Sequence, residues 1–250
     1  MKTQNRLLAF LPSKDLALLE PHFKRERFTR GEVLVGTTRQ FKNVLFLESG
    51  ALSYVSIMED GAAVESISIG REGALGLIAW AGPGFLPLRR GIVQISGEGL
   101  AVSRATLSAA ARKSEAIRDM TARYATFLLS HCMQLVACNA RHSVEARLAR
   151  WLLTCAYRID GQILEFQHDY LAETLGVVRT TVTLAARSLQ SAGLILYSRG
   201  RIQIIDMDGL NDLACDCYGV FRSELERILP LPPKKLTDRR ARSRSPRSRS

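Results

Sequence analysis

A chain of 250 residues with 46% hydrophobic and 24% charged residues has the composition of an ordinary folded protein, long enough for two domains. No apolar run approaches the roughly 18 residues of a membrane span, and MKTQNRLLAFLPSKD lacks the apolar core of a secretory signal, so a cytoplasmic protein without a membrane partner is expected. The net charge of +11 is uneven: from Lys234 onward eight basic residues against Asp238 carry +7 of it, leaving about +4 for residues 1–233, which is compatible with nucleic-acid binding without demonstrating it.

Ser13 to Glu20 reads as a short helix with Ser13 as its cap and Leu16, Leu18 and Leu19 supplying apolar contacts. After Pro21 the period shortens. HFKRERF, EVLV, NVLFLESG, ALSYVSIM and AAVESISIG are short alternating or β-branched runs, with turn residues about every 8–12 positions. GIVQIS and GLAVSRATL add two more. Such spacing predicts an antiparallel jelly roll over residues 1–106. Between these runs, GREGALGLIAWAGPGFLPLRR either caps a ligand cavity or plugs one end of the roll.

From Leu107 to Ala140 the period becomes helical. Ile117, Met120, Tyr124, Phe127, Leu128, His131 and Leu135, continued by Cys138, recur at three and four. A long helix with one apolar stripe, following the roll, is expected to pair with its twin, so residues 107–140 read as a dimerisation helix. HSVEARLARWLLTCAYR is a second amphipathic helix, with Val144, Leu148, Trp151, Leu152 and Cys155 facing inward, and ILEF is a small strand.

The most specific signal is HDYLAETLGVVRTTVTLAARSLQSAGLIL. Gly176 sits where two short helices must turn sharply, and Ala172 is small enough to let them approach. Leu171, Leu175, Val177, Val182 and Ala185 pin the first helix onto the second. Arg179, Thr180, Thr183 and Arg187 then share the exposed face of the second, a polar and cationic surface suited to the major groove of double-stranded DNA. GLILYSRGRIQIID folds back around Ser198-Arg199-Gly200 as a wing. His168, Thr181, Arg199 and Arg201 are candidates for phosphate contacts. LNDLACDCYGVFRSELERIL returns to helix and closes the winged domain at 229. The Arg/Ser-rich tail, residues 230–250, cannot bury apolar surface and is expected to be disordered. It either adds salt-dependent affinity for DNA or is a solvated tail.

Several chemistries lack their residues. The five cysteines (Cys132, Cys138, Cys155, Cys215, Cys217) all lie in the second half. Neither the six-residue separation of Cys132 and Cys138 nor the lone C-x-C has a zinc or iron–sulfur spacing, so bystander thiols, no metal and no cofactor are expected. His22 is the one histidine in the roll, too few for a cupin-type metal enzyme, and neither a phosphate loop nor a G-x-S-x-G elbow is present. No enzyme is expected. The alternative to a regulator is a small-ligand-binding module without sequence-specific DNA binding, which leaves the helix-turn-helix and wing unexplained.

LFLESGALSYVSIMEDG in the roll, GREGALGL after it and HDYLAETLGVVRTTVTLAARSLQSAGLI in the last domain together resemble the Crp/Fnr family of bacterial transcription regulators, from about Leu16 to Leu229. The resemblance implies an α+β chain. Its parts would be an N-terminal double-stranded β-helix like the cyclic-nucleotide-binding domains, a dimer helix, and a winged helix-turn-helix reading a palindromic promoter site as a homodimer. If the protein activates, RNA polymerase is a further partner. The same resemblance places the effector-binding positions at Gly73, Ala74, Leu75, Arg89 and Arg90. The family's ribose-binding Glu is Ala74 here, and the Ser of its phosphate-binding Arg-Ser pair is Arg90, so the effector is expected not to be cAMP. The family's iron–sulfur cysteines are missing before Cys132, and His22 and His131, the histidines available to hold haem, read as ordinary surface or core residues. In the recognition helix Thr180 and Leu184 stand where many members carry Glu and Arg, and Val178 replaces a polar cap.

Overall fold

The computed structural model describes residues 1–35, 42–59, 63–78, 90–166, 168–198 and 200–230, with Val35, Arg90, His168 and Asp169 described by their backbone alone. The chain opens on α1 (Arg6–Phe10), whose N-terminal N–H groups at Leu7 and Leu8 donate to the side-chain oxygen of Asn5. The Asn5 amide donates in turn to the carbonyls of Leu47 and Gly73, each at 2.8 Å. Ser13 is not a cap. It is the first residue of α2 (Ser13–Leu16) behind Pro12, and a separate 3₁₀ turn follows at Glu20–His22, so the helix expected from 13 to 20 is split in two.

Among the described residues eight strands follow: β1 (Lys24–Phe28), β2 (Val33–Val35), β3 (Asn43–Leu47), β4 (Ala51–Ile57), β5 (Ala63–Ile69), β6 (Ala74–Leu75), β7 (Arg90–Ile95) and β8 (Gly97–Ser103). They form two four-stranded antiparallel sheets, in the orders β1-β8-β3-β6 and β2-β7-β4-β5. This is the jelly-roll arrangement that the strand spacing predicts. Alternation explains why β3 reads as an unbroken apolar run. Leu45 and Leu47 point into the roll beside Phe28, Leu52, Ile69 and Val93. Val44 and Phe46, on the opposite face, meet the helices. Trp80, Phe85 and Arg89 lie outside the described residues.

The helical stretch expected over 107–140 is two helices, α3 (Arg104–Lys113) and α4 (Glu115–Arg141). Ser114 separates them with an extended backbone, accepting the N–H of Ile117 at 3.1 Å and donating its hydroxyl to Asp15 at 2.6 Å. The expected dimer stripe needs correction. Ile117, Met120, Tyr124 and Phe127 are buried within the one chain against the roll, α1 and the C-terminal helix, Leu128 packs at the edge of that core, and His131 is enclosed beside Phe127 and Phe221. Leu135 is half-buried. A second stripe of Ala122, Thr126, Leu129, Met133, Val136 and Ala140 is exposed, with Leu129, Met133 and Val136 at 64%, 65% and 71%.

The remaining elements are α5 (Val144–Ile159), β9 (Ile163–Glu165), α6 (His168–Leu175), α7 (Arg179–Ser191), β10 (Ile195–Ser198), β11 (Arg201–Ile204), α8 (Met207–Leu213) and α9 (Cys217–Ile228). A three-stranded sheet in the order β10-β11-β9 backs the helices. The helix expected over 207–229 breaks at Ala214, whose extended backbone carries Cys215 and Asp216 away from α8 before α9 begins. Residues 231–250, the Arg/Ser tail, lie outside the described residues.

Candidate nucleic-acid interface

The helix-turn-helix is built by backbone geometry first. Gly176 has φ +62°, the left-handed conformation that ends a helix without a Cβ penalty. Val177 N–H reaches back to the Ala172 carbonyl at 3.0 Å and Gly176 N–H to Glu173 at 3.4 Å, the paired bonds of a Schellman ending. The chain is thereby redirected into α7. Leu171 and Leu175 of α6 then share a core with Val182, Ala185, Ala186 and Leu189 of α7 and Trp151 and Leu152 of α5.

Burial of those positions fixes the opposite face of α7. Arg179, Thr180, Leu184 and Arg187 are exposed on it, and Thr181 and Thr183 are half-buried. The Thr183 hydroxyl donates to the Arg179 carbonyl at 3.1 Å. Val178 precedes the helix with extended φ and ψ and no side-chain cap bond. Leu184, 64% exposed, sits in the middle of this face, an apolar side chain on a surface otherwise polar. Its exposure puts it beside Arg179, Thr180 and Arg187, which the sequence alone did not indicate.

The wing is the antiparallel pair β10 and β11, closed between Ser198 and Arg201 with Gly200 at φ +79°. Arg201 is exposed and lines a groove of about 570 Å³ with Arg30 of the roll, Glu165, Ser198 and Gln203. Arg199 and the side chain of His168 lie outside the described residues.

The domain that carries α7 is held onto the roll. Arg158, in the last turn of α5, is 1% exposed and forms a buried ion pair at 2.7 Å with Glu72, also 1% exposed. It further donates to the Ser68 hydroxyl and carbonyl, each at 2.7 Å. Burial is the largest influence and works against the Arg158 charge, but the Glu72 carboxylate, its hydrogen bond and the other acidic groups nearby together outweigh it and hold the guanidinium pKa above its ordinary value. Gly70 makes room for this passage, since a Cβ there would lie 2.4 Å from Arg158 Cγ. A Cβ on Gly176 would meet Val64 of β5 at 3.6 Å, and Arg30 lies 5.8 Å over the Phe166 ring. Arg158 was not picked out in the sequence. Its signal is that it extends the inward stripe Leu148, Trp151, Leu152, Cys155 by three.

The positions expected to meet an effector are partly filled by the chain itself. Ala74 and Leu75 are buried in β6, and Tyr124 of α4 places its hydroxyl 3.2 Å from the Ala74 N–H, which donates to it. A Cβ on Gly73 would come within 2.4 Å of that hydroxyl. Arg89 lies outside the described residues, as does the Arg90 side chain. Of the two histidines weighed as haem ligands, His22 is exposed in the 3₁₀ turn, and His131 is enclosed by aromatic rings, where burial lowers its pKa to about 3.

Comparison with known proteins agrees with this geometry. The Crp-like helix-turn-helix domain family matches residues 146–213. The transcriptional regulator SdrP of Thermus thermophilus is 40% identical over 60 residues, a stretch covering 24% of this chain and 30% of that protein's length. Among solved structures, a crp/fnr-family transcriptional regulator from Eubacterium rectale superposes with a TM-score of 0.63 at 19% identity, over 81% of this chain and 94% of the other. FixK2 from Bradyrhizobium japonicum gives 0.65 at 18% identity, over 77% and 98%. No described helix is long and apolar enough to cross a membrane. Residues 146–213 thus carry a Crp-like helix-turn-helix domain, and the described residues share the fold of these two solved structures.

Proposed function

We propose that the protein is a cytoplasmic, sequence-specific DNA-binding transcription regulator that reads a two-fold site as a homodimer. The observation that carries this is the exposed face of α7, where Arg179, Thr180, Thr183, Leu184 and Arg187 stand together behind the Gly176 turn. Arg179 and Thr183 are the proposed base readers, with Thr180 beside them and Leu184 suited to a thymine methyl group. His168, Thr181, Arg199 and Arg201 are proposed as backbone contacts, whose role is positioning. With Thr180 and Leu184 in place of Glu and Arg, the half-site differs from that of the best-known members.

Dimerisation is proposed through the exposed stripe of α4. Ala122, Thr126, Leu129, Met133, Val136 and Ala140 alternate at four and three, the 3.5-residue period of a coiled-coil seam. The effector is proposed not to be cAMP, a reading supported by Ala74 in the acceptor position and by the Tyr124 hydroxyl crowding Gly73.

Selection of bound DNA from a random pool by the full chain tests the reading. A two-fold symmetric motif is expected, and Arg179→Ala or Thr183→Ala should each weaken binding to it by about 1–3 kcal/mol, roughly 5- to 150-fold, while relaxing the preference at one base position. Recovery of no enriched motif at moderate salt would refute the proposal.

A further inference from the structure

The cysteines that looked like bystanders in the sequence converge in space. Cys138 lies in the last turn of α4, and His142, four residues on and C-capping that helix, reaches the same place. Cys215 and Cys217 arrive from the break between α8 and α9. Cys138 Sγ is 3.5 Å from Cys215 Sγ, Cys217 Sγ is 3.5 Å from His142 Nδ1, and the four donor atoms all lie within 4.8 Å of one another. We infer that Cys138, His142, Cys215 and Cys217 form a four-ligand site for a single zinc ion at the hinge between the long helix and the DNA-binding domain.

Geometry selects a mononuclear ion. Tetrahedral bonds of about 2.3 Å to sulfur and 2.0–2.1 Å to nitrogen place the donors about 3.5–3.8 Å apart, a spacing that the two 3.5 Å pairs already have, so only the wider pairs need to close, by up to about 1 Å. A polynuclear iron–sulfur cluster spreads its thiolates over several irons and needs a wider cage. A Cys138–Cys215 disulfide would require a 2.05 Å bond and would leave the approach of Cys217 and His142 unexplained. Three thiolates and an imidazole are soft, tetrahedral donors, and zinc outranks ferrous iron at such a set.

The surroundings suit the ion as well. Asp216 Oδ1 lies 3.5 Å from His142 Nε2, the carboxylate–histidine arrangement that leaves Nδ1 free to ligate. The Gln134 amide donates to Cys217 Sγ at 3.1 Å. Three thiolates on Zn²⁺ carry a net negative charge, and Arg147 and Arg150 are both buried on the adjoining turns of α5, each with an Nε lacking a hydrogen-bond partner among the described residues. With four protein ligands the site is closed, so the ion acts as a staple that fixes α9 and the start of α5 against the end of α4.

The full chain, purified under reducing conditions from zinc-supplemented cells, should carry one zinc per polypeptide by elemental analysis. Chelator-stripped protein titrated with Co²⁺ should saturate at one equivalent, with intense tetrahedral d–d bands and thiolate-to-metal charge transfer that zinc abolishes. Cys138→Ser and Cys217→Ser should drop the stoichiometry to none, whereas Cys132→Ser and Cys155→Ser should keep it at one. Should a ligand variant fail to fold, the cobalt spectrum of the unaltered chain decides alone. Metal-free protein with no thiolate charge transfer, unchanged stoichiometry in Cys138→Ser, or a mass two hydrogens low from a Cys138–Cys215 disulfide would overturn the assignment. None of these readouts involves DNA, so they stand or fall apart from the regulator reading.

Discussion

At the residue scale, the Arg158–Glu72 pair shows how two charges are held where neither is tolerated alone. Both are 1% exposed, and the guanidinium's remaining donors are met by Ser68. Removing one partner strands the other, so Arg158→Met or Glu72→Leu alone should cost about 3–5 kcal/mol in urea unfolding. The double substitution, which leaves no orphan charge, should recover most of that loss. A double variant as unstable as the sum of the singles would contradict the pairing. His131 makes a second, pH-dependent contribution. Burial lowers its pKa to about 3, whereas the unfolded imidazole protonates near 6.5. Between those values the unfolded state binds more protons, so the contribution is full above about pH 6.5 and is lost as pH falls. Relative to His131→Leu, the parent chain should lose at most about 1.4 kcal/mol per pH unit below that point, measured by unfolding at pH 7, 6 and 5.

At the scale of elements, α4 is the instructive case. Two stripes run along it, and both recur at three and four. Periodicity finds stripes, but it does not say which one meets the chain's own roll. Ile117, Met120, Tyr124 and Phe127 are the larger and more apolar set and are taken by the monomer core, which leaves the sparser set around Leu129, Met133 and Val136 exposed. Three such side chains on one seam are apolar surface that a partner helix would cover. A charge there should be ruinous to pairing and harmless to the fold. Met133→Glu is expected to halve the solution mass measured by light scattering without lowering the melting temperature, and Phe127→Glu to unfold the chain instead. The helix-turn-helix, by contrast, is legible in the sequence because its signals are local: a glycine, a small residue four before it, and apolar positions within about 20 residues. The zinc ligands were not, since they come from two helix ends 77 residues apart and their spacing means nothing until α8 and α9 separate at Ala214. Arg158 and Glu72, 86 residues apart, were hidden for the same reason.

At the scale of the molecule, the roll and the winged domain do not have separate cores on every side. One apolar cluster takes Leu7 and Leu8 from α1, Phe46 and Val102 from the roll, Met120 and Phe127 from α4, and Phe221, Leu225 and Ile228 from α9. The last described helix thus covers the first. Arg6 ties this closure by donating to the Leu229 carbonyl at 2.7 Å and the Leu225 carbonyl at 3.3 Å, placing a cation at the negative end of α9. Phe221 is the centre of it, with ring centroids of His131, Phe127 and Tyr157 at 5.0, 5.9 and 6.2 Å. Two folding units joined by a flexible hinge would unfold in two steps. Units sharing this cluster should unfold together, so far-UV and near-UV circular dichroism of the full chain are expected to report one coincident transition. Phe221→Ala removes a buried ring from the shared cluster and should move both probes together, by about 3–5 kcal/mol. A chain ending at Arg141 would leave Leu7, Leu8, Met120 and Phe127 uncovered and should lose the cooperative transition altogether. If that truncated roll instead melts as sharply as the full chain, the C-terminal helix is not part of its core.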